Sequence, residues 1–356
     1  MNRVPDRSTR TAVSEPQYPD RSMMRSMPLP RIRLLLGPGT LHSRGADRMD
    51  FTRYSRSGNP RMTGDELLAT LPEIERIARV EVDEGNPHAV ATLDDLRRLS
   101  AHANALLQRP ELDGLILIQG TNGLEETAYF LGLTVRSAKP IVITGAQRPY
   151  TALSADGPVN LLDAVRVAAT PESRGKGAVV VTNGEINAAR EVTKTSTYRL
   201  HTFRSRDMGL LGYADADAVA YYRAPLRRHT VDSEFDVGAI TAMPPVDVLY
   251  IHTGCQPGLA EAALQLGAKG LVAAGSGAGS TGNLANELAD IAAGRRAVVV
   301  QSSRVGEGRV VRNNNWSEPG MVVADNLNPH KSALLLSLAL TKTSDPEEVQ
   351  RLFDEY

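Results

Sequence analysis

Cysteine is nearly absent, with Cys255 alone in 356 residues. A single thiol excludes an intrachain disulfide, a redox pair and a thiolate metal cluster within one chain. Its setting in "LYIHTGCQPG" reads as a small buried residue. Neither sign of charge dominates, since Lys+Arg 40 stand against Asp+Glu 41 for a net charge of −1. There is thus no global basic field to draw nucleic acid and no strongly acidic surface, and a small molecule is the favoured partner. The seven histidines, His42, His88, His102, His201, His229, His252 and His330, form no His-x-x-x-His pair and no repeating ligand spacing. Metal catalysis is left without a ligand set, and no cofactor is implied. No run of about 18 apolar residues occurs, which excludes a membrane-spanning helix.

What the chain does have is length and alternation. At 356 residues it outgrows most single cores and suggests two domains, with enough apolar surface to enclose a deep cleft. Residues 1–30, rich in Arg, Ser and Pro and without an apolar period, read as a disordered leader. They lack the continuous apolar core of a secretory signal, so a cytoplasmic location is expected, and Met23, Met24 and Met27 leave open a downstream start. From there "IRLLL", "RVEV", "LDGLILIQG", "KPIVITGAQ" and "GAVVVTNGE" alternate with helical "GDELLATLPEIERIA", "TLDDLRRLSAHANALLQ" and "VNLLDAVRVAA". Short apolar strands between amphipathic helices predict an α/β fold with a largely parallel sheet covered on both faces. The expected division is an N-terminal domain over 31–215, a hairpin-bearing connector over 216–245, and a smaller α/β domain over 246–356 ending in helical "DPEEVQRLFDEY".

In parallel sheets ligands sit beyond the carboxyl ends of the strands. Three residues fall in such places or beside them. Thr40 lies in "GPGTLHSRG" directly after "IRLLL", Thr121 follows "LILIQG" just before a helix, and Lys194 stands among threonines in "REVTKTSTYRLHTFRS". Backbone N–H groups at a helix start can hold developing negative charge, and a desolvated lysine can act as a base. Two hydroxyls and one lysine are the parts needed for covalent acyl transfer without histidine or cysteine.

At this point the sequence resembles the bacterial-type L-asparaginases and glutaminase-asparaginases, from about residue 31 to 356. The resemblance is carried by "GTNGLEETAYFLGL", "KPIVITGAQRPYTALSADGPVNLLDAV", the lysine block above, "SSRVGEGRV" and "LNPHKSALLLSLAL", in family order and spacing. It implies a two-domain fold that hydrolyses a side-chain carboxamide, of L-asparagine or a related amide, through a threonine acyl-enzyme with release of ammonia. Thr40 would be the nucleophile, Thr121 the second catalytic threonine, Lys194 its activator and Tyr54 a lid tyrosine assisting Thr40. Residues 42–60 would form that lid. Gly120, Gln147, Asn122 and Ser280 fall at substrate-binding positions, and Glu84 and Asn86 are nominated for the substrate carboxylate. The resemblance further implies a homotetramer, a dimer of dimers, with sites between the N-terminal domain of one subunit and the C-terminal domain of another.

Several positions depart from the family pattern. Gly37 and Pro38 replace a threonine and a glycine, so one N–H near the nucleophile is lost. Asn122 replaces an aspartate and Ser280 an asparagine, both of which the family uses to grip the substrate ammonium. No glutamate aligns clearly near Asn313–Asn315, with Glu307 and Glu318 as alternative acids. An amide lacking a free α-ammonium, or a catalytically weak or silent binding protein on this scaffold, are therefore the competing expectations. A third, a dinucleotide site, comes from Gly277, Gly279 and Gly282 in G-x-G-x-x-G spacing with Arg304 to take a 2′-phosphate.

Overall fold

The computed structural model describes residues 28–83, 89–312 and 320–356. The expected leader up to residue 27 and the nominated Glu84, Asn86, Asn313–Asn315 and Glu318 lie outside the described residues.

The larger sheet is built from β1 (Arg31–Leu36), β2 (Arg79–Asp83), β3 (Gly114–Ile118), β4 (Ile141–Thr144), β5 (Ala178–Thr182) and β6 (Glu185–Ala188). A short ladder of β7 (Thr193–Lys194) and β8 (Phe203–Arg204) stands apart, and β9 (Gly212–Ala214) and β10 (Val219–Tyr221) complete the large sheet. Its order is β10-β9-β6-β5-β4-β3-β1-β2. The smaller sheet, β11 (Val246–Tyr250), β12 (Gly270–Gly275), β13 (Val298–Ser303) and β14 (Val322–Val323), is parallel throughout and in sequence order.

The largely parallel sheet that was expected runs from β2 to β5. Beyond β5 the strands β6, β9 and β10 run antiparallel, so the sheet is mixed. The reversal is local: Asn183 and Gly184, at φ 56° and 71°, turn the chain straight back between β5 and β6. Two consecutive residues with positive φ match the twist of a tight hairpin, and Asn-Gly is the pair that tolerates them best.

Helices α1 (Gly64–Ala69), α2 (Leu93–Leu107), α3 (Leu124–Thr134) and α4 (Gly157–Ala169) belong to the larger lobe, and α5 (Leu259–Gln265), α6 (Ala285–Ala293), α7 (Pro329–Ala339) and α8 (Pro346–Glu355) to the smaller one. Thr63 with Glu66 and Thr92 with Asp95 form capping boxes at α1 and α2, while Asn328 and Asp345 cap α7 and α8 ahead of a proline in the first turn. The helix expected over "GDELLATLPEIERIA" is split, because Pro72 cannot donate and starts a separate 3-10 turn at Pro72–Arg76.

Alternation along the strands sends Leu115, Leu117, Ile141 and Ile143 to one face, where Leu99, Leu106 and Leu131 of α2 and α3 cover them. Ile32, Leu34, Ile116 and Val142 face the other way, against Leu161 and Val165 of α4. A third core crosses the lobes: Tyr129, Phe130 and Leu133 of α3 pack with Val300 of β13, Leu335 of α7 and Phe353 of α8.

Candidate active site

The chain leaves β1 toward β2 on one side and returns to β3 on the other. Where connections diverge in this way, a crevice opens beyond the carboxyl ends of the two strands. Thr40 follows the end of β1 at Leu36, Thr121 follows the end of β3 at Ile118, and both line one cleft of about 980 Å³. Glycine lets the two loops touch: a Cβ at Gly39 would lie 2.7 Å from the Gly120 nitrogen, whose N–H donates to the Pro38 carbonyl at 3.0 Å. Both threonines are nearly withdrawn from water, Thr40 at 8% and Thr121 at 7% exposure.

Each hydroxyl has its own proton partner. Thr40 Oγ1 and Tyr54 Oη are 2.8 Å apart. Tyr54 opens a 3-10 turn within a loop whose ends are tied by the Met62 N–H donating to the His42 carbonyl at 2.9 Å. Lys194 Nζ donates to Thr121 Oγ1 at 2.7 Å, and Thr121 in turn donates to Gln147 Oε1 at 3.4 Å. Burial lowers the Lys194 ammonium below the ordinary lysine range, while the Glu125 charge pulls the other way. His42, pushed down to about 4 by burial and by the Arg61 charge, is neutral at pH 7.

Two supports are not evident from the sequence reading. Glu125 of α3 accepts the Lys194 backbone N–H at 2.9 Å, which fixes the strand that carries the lysine. Its other oxygen meets His330 Nε2 at 3.0 Å, Asn328 Nδ2 at 3.4 Å and Lys331 Nζ at 3.7 Å, all from the start of α7. Burial acts to raise the Glu125 pKa, but the His330 hydrogen bond and the Lys331 and His330 charges outweigh it and bring it to about 2. Asp156 accepts the N–H groups of Gln147 and Arg148, each at 2.9 Å, and so braces the Gln147 loop. The blocks "EETA" and "SADGP" contain both acids, but their targets lie 69 and 9 residues away, and only folding selects them.

Thr40, Tyr54, Thr121 and Lys194 are thus brought together, and Gly120, Asn122 and Gln147 line the same cleft. Asn122 is exposed at its edge. Ser280 does not line it and sits in a tight turn of the smaller lobe, bridged to Ser276. That turn also counts against the dinucleotide reading. Its Ser276, Gly279 and Ser280 N–H groups bond within the loop, and the Gly279 carbonyl accepts from Gln301, so these three donors are not free to cradle a phosphate. Arg304 lies over the Tyr250 ring at 5.6 Å.

A two-lobed α/β protein with a buried hydroxyl pair at a sheet crevice, each hydroxyl hydrogen-bonded to a proton carrier, is equipped for acyl transfer through oxygen. The chain belongs to the asparaginase family: "Asparaginase, N-terminal" matches residues 31–227 and "Glutaminase/Asparaginase C-terminal domain" matches 245–353. It is 42% identical over 331 residues to L-asparaginase 2 of Bacillus subtilis (strain 168), covering 92% of this chain and 87% of that protein. L-asparaginase 2 of Escherichia coli (strain K12) is 35% identical over 333 residues, covering 93% and 94%. The crystal structure of a probable cytoplasmic L-asparaginase from Campylobacter jejuni matches with a TM-score of 0.84 at 36% identity, over 92% of this chain and all of that one. Among the described residues no helix is long and apolar enough to cross a membrane.

Proposed function

We propose that this protein is an asparaginase-type amidohydrolase in which Thr40 attacks a side-chain carboxamide. The observation that carries this reading is the pair of independent contacts across one cleft, Thr40 with Tyr54 at 2.8 Å and Thr121 with Lys194 at 2.7 Å. Tyr54 relays the proton from Thr40 Oγ1 as that oxygen bonds to the amide carbon. Lys194, whose burial favours the neutral form, takes the Thr121 proton when unprotonated, and this pair handles the proton that the departing nitrogen needs. The C–N bond breaks, ammonia leaves and an ester to Thr40 remains; water then attacks the ester, giving the carboxylate and restoring the hydroxyl. Ammonia release should fall by at least about a hundredfold in kcat for Thr40→Ala and for Lys194→Met, with melting temperature little changed. Wild-type-like turnover by Thr40→Ala would overturn the mechanism, and no release from any amide would leave a binding protein.

Charge in the cleft supports a narrower substrate. Among its described lining residues Glu125 is the single carboxylate, and both of its oxygens are engaged, whereas Asn122 offers only a dipole. A buried ammonium without a carboxylate partner is costly. Amides whose α-nitrogen is acylated or absent are therefore the preferred substrates over free L-asparagine. Asn122→Asp should restore L-asparagine selectively, by up to about 1.5–3 kcal/mol in kcat/KM. A wild-type kcat/KM for L-asparagine above that for its N-acetyl derivative and for neutral monoamides would refute this preference.

The same reading takes residues 31–215 as the catalytic domain, 216–245 as connector and 246–356 as the second domain, assembled as a homotetramer. A cytoplasmic location is favoured by the likeness to the Campylobacter protein, although a relative from Haemophilus influenzae is named a probable periplasmic L-asparaginase.

A further inference from the structure

Under the segment that joins the lobes lies a second cavity, of about 340 Å³, which none of Thr40, Thr121 or Lys194 lines. Tyr129, Gly132 and Leu133 of α3 line one side of it with Ala178, Ala188 and Leu211, and residues 223–229 line another. Two glycines seat that joining segment. Gly209 and Gly177 have φ of 73° and 75°, and a Cβ on either would come within 3.0 Å of the Arg223 guanidinium or the His229 ring. Arg223 also donates to the Met208 carbonyl.

The charges of the cavity do not balance. Lys176, Arg190, Arg223, Arg227 and Arg228 line it, against Glu191 and Asp325. Arg190 pairs with Glu191 at 3.0 Å, Arg227 with Asp325 at 2.8 Å, and Arg228 with Glu355 at 2.5 Å. Among the described residues Lys176 and Arg223 meet no carboxylate; Lys176 lies over the Tyr221 ring at 5.4 Å. Among the described residues the Oη of Tyr129, only 3% exposed, has no hydrogen-bond partner, and Nη2 of Arg190 is likewise unpartnered. Buried donors left unpaired are costly and uncommon, and here two occur on residues lining one cavity that has uncompensated positive charge.

We propose that this cavity is a binding site for a small organic carboxylate with an apolar body. Its alanine and leucine walls suit the body, Lys176 and Arg223 supply the countercharge, and the spare donors of Tyr129 and Arg190 are available to oxygen acceptors. Its size lies at the small end of ligand sites, which favours a short chain or a single ring. The guanidinium fork matches a carboxylate, and the apolar walls disfavour a compact, highly hydrated anion.

Calorimetric titration of the full chain with hexanoate, and with 1-hexanol as its uncharged counterpart, tests the site. Hexanoate should bind saturably and hexanol should not, and Arg223→Ala and Lys176→Ala should each weaken hexanoate by about tenfold. Gly132→Leu, whose side chain starts between the Cβ atoms of Ala178 and Ala189 at 3.7–3.8 Å, should block binding while leaving ammonia release intact. Tyr129→Phe should weaken hexanoate several-fold without lowering the melting temperature of the free protein. No heat up to about 10 mM, a level marking affinities too weak for a built site, would overturn the proposal. So would equal binding of hexanol, or hexanoate binding that Arg223→Ala, Lys176→Ala and Gly132→Leu all leave unchanged.

Discussion

Lys194 shows how little of a residue's chemistry belongs to the residue. In sequence it is one lysine among threonines; in the fold its Nζ is 2.7 Å from Thr121 and its backbone N–H is held by Glu125. Burial lowers its pKa, so the neutral form that can accept a proton is reached at a lower pH than for a free lysine. Because the base form grows as pH rises, kcat/KM should climb through the lowered lysine pKa and then level. Lys194→Arg, charged at every accessible pH, should lose at least about a hundredfold in kcat at all of them. A pH–rate profile in which wild type shows no such rise, or in which the arginine variant remains active, would remove Lys194 from the proton pathway. The types and order of Thr40, Thr121 and Lys194 were legible because each stands in a distinctive block at or near a strand end. Glu125 was not, since nothing local marks a glutamate in "EETA" as the acceptor for a strand 69 positions on.

At the scale of elements, the loop over residues 42–60 carries Tyr54 to Thr40, and Phe51, Thr52 and Ser55 also line the cleft. Its two ends meet through Met62 and His42, Ser57 Oγ donates to the Arg44 carbonyl at 2.7 Å, and Asn59 Nδ2 to that of Gly45 at 2.8 Å. This makes it a compact surface loop tied at its base, the kind of segment that can cover a substrate as a unit. Trypsin should cleave after Arg48, Arg53 or Arg56 several-fold more slowly when the cleft is saturated with the enzyme's best substrate or product. Equal cleavage rates with and without ligand would deny the loop a covering role. The polar, arginine-rich composition of this stretch pointed to such a loop. The turn into the antiparallel edge of the large sheet is less legible, although Asn183-Gly184 is a strong hairpin signal, because the preceding apolar strand fits a βαβ rhythm equally well.

At the scale of the molecule, α3 binds the lobes in two ways. Its Phe130 and Leu133 enter the core of the smaller lobe, and its Glu125 accepts from Asn328 and His330 at the start of α7. Glu125 has a native pKa of about 2 against an ordinary 4.5. Below pH 4.5 the unfolded chain therefore takes up a proton that the native one refuses, and stability present above 4.5 is lost as pH falls toward 2. His42, lowered from 6.5 to about 4 by burial, adds a loss that begins nearer pH 6.5. The melting temperature of wild type should thus decline in acid, and Glu125→Gln should be less stable at pH 7 yet show a shallower decline between pH 4.5 and 2. Parallel declines for the two proteins over that range would show that this carboxylate is not a source of acid sensitivity.

The sequence by itself determined the α/β class and the two lobes, and it singled out the two hydroxyls and the lysine as candidates. Strand alternation, helix caps and strand-end placement are local, written in residues a few positions apart. The family resemblance implied that Tyr54 serves Thr40 and Lys194 serves Thr121, 73 positions away; the tertiary structure set those contacts, and it alone decided that Glu125 fixes the lysine while tying the lobes. It also left Lys176 and Arg223, among the described residues, without carboxylates in a cavity that Tyr129, whose hydroxyl has no partner there, also lines. These depend on which elements pack together and on what burial does to charge, and a linear pattern specifies neither until the sheet's strand order brings distant loops to one crevice.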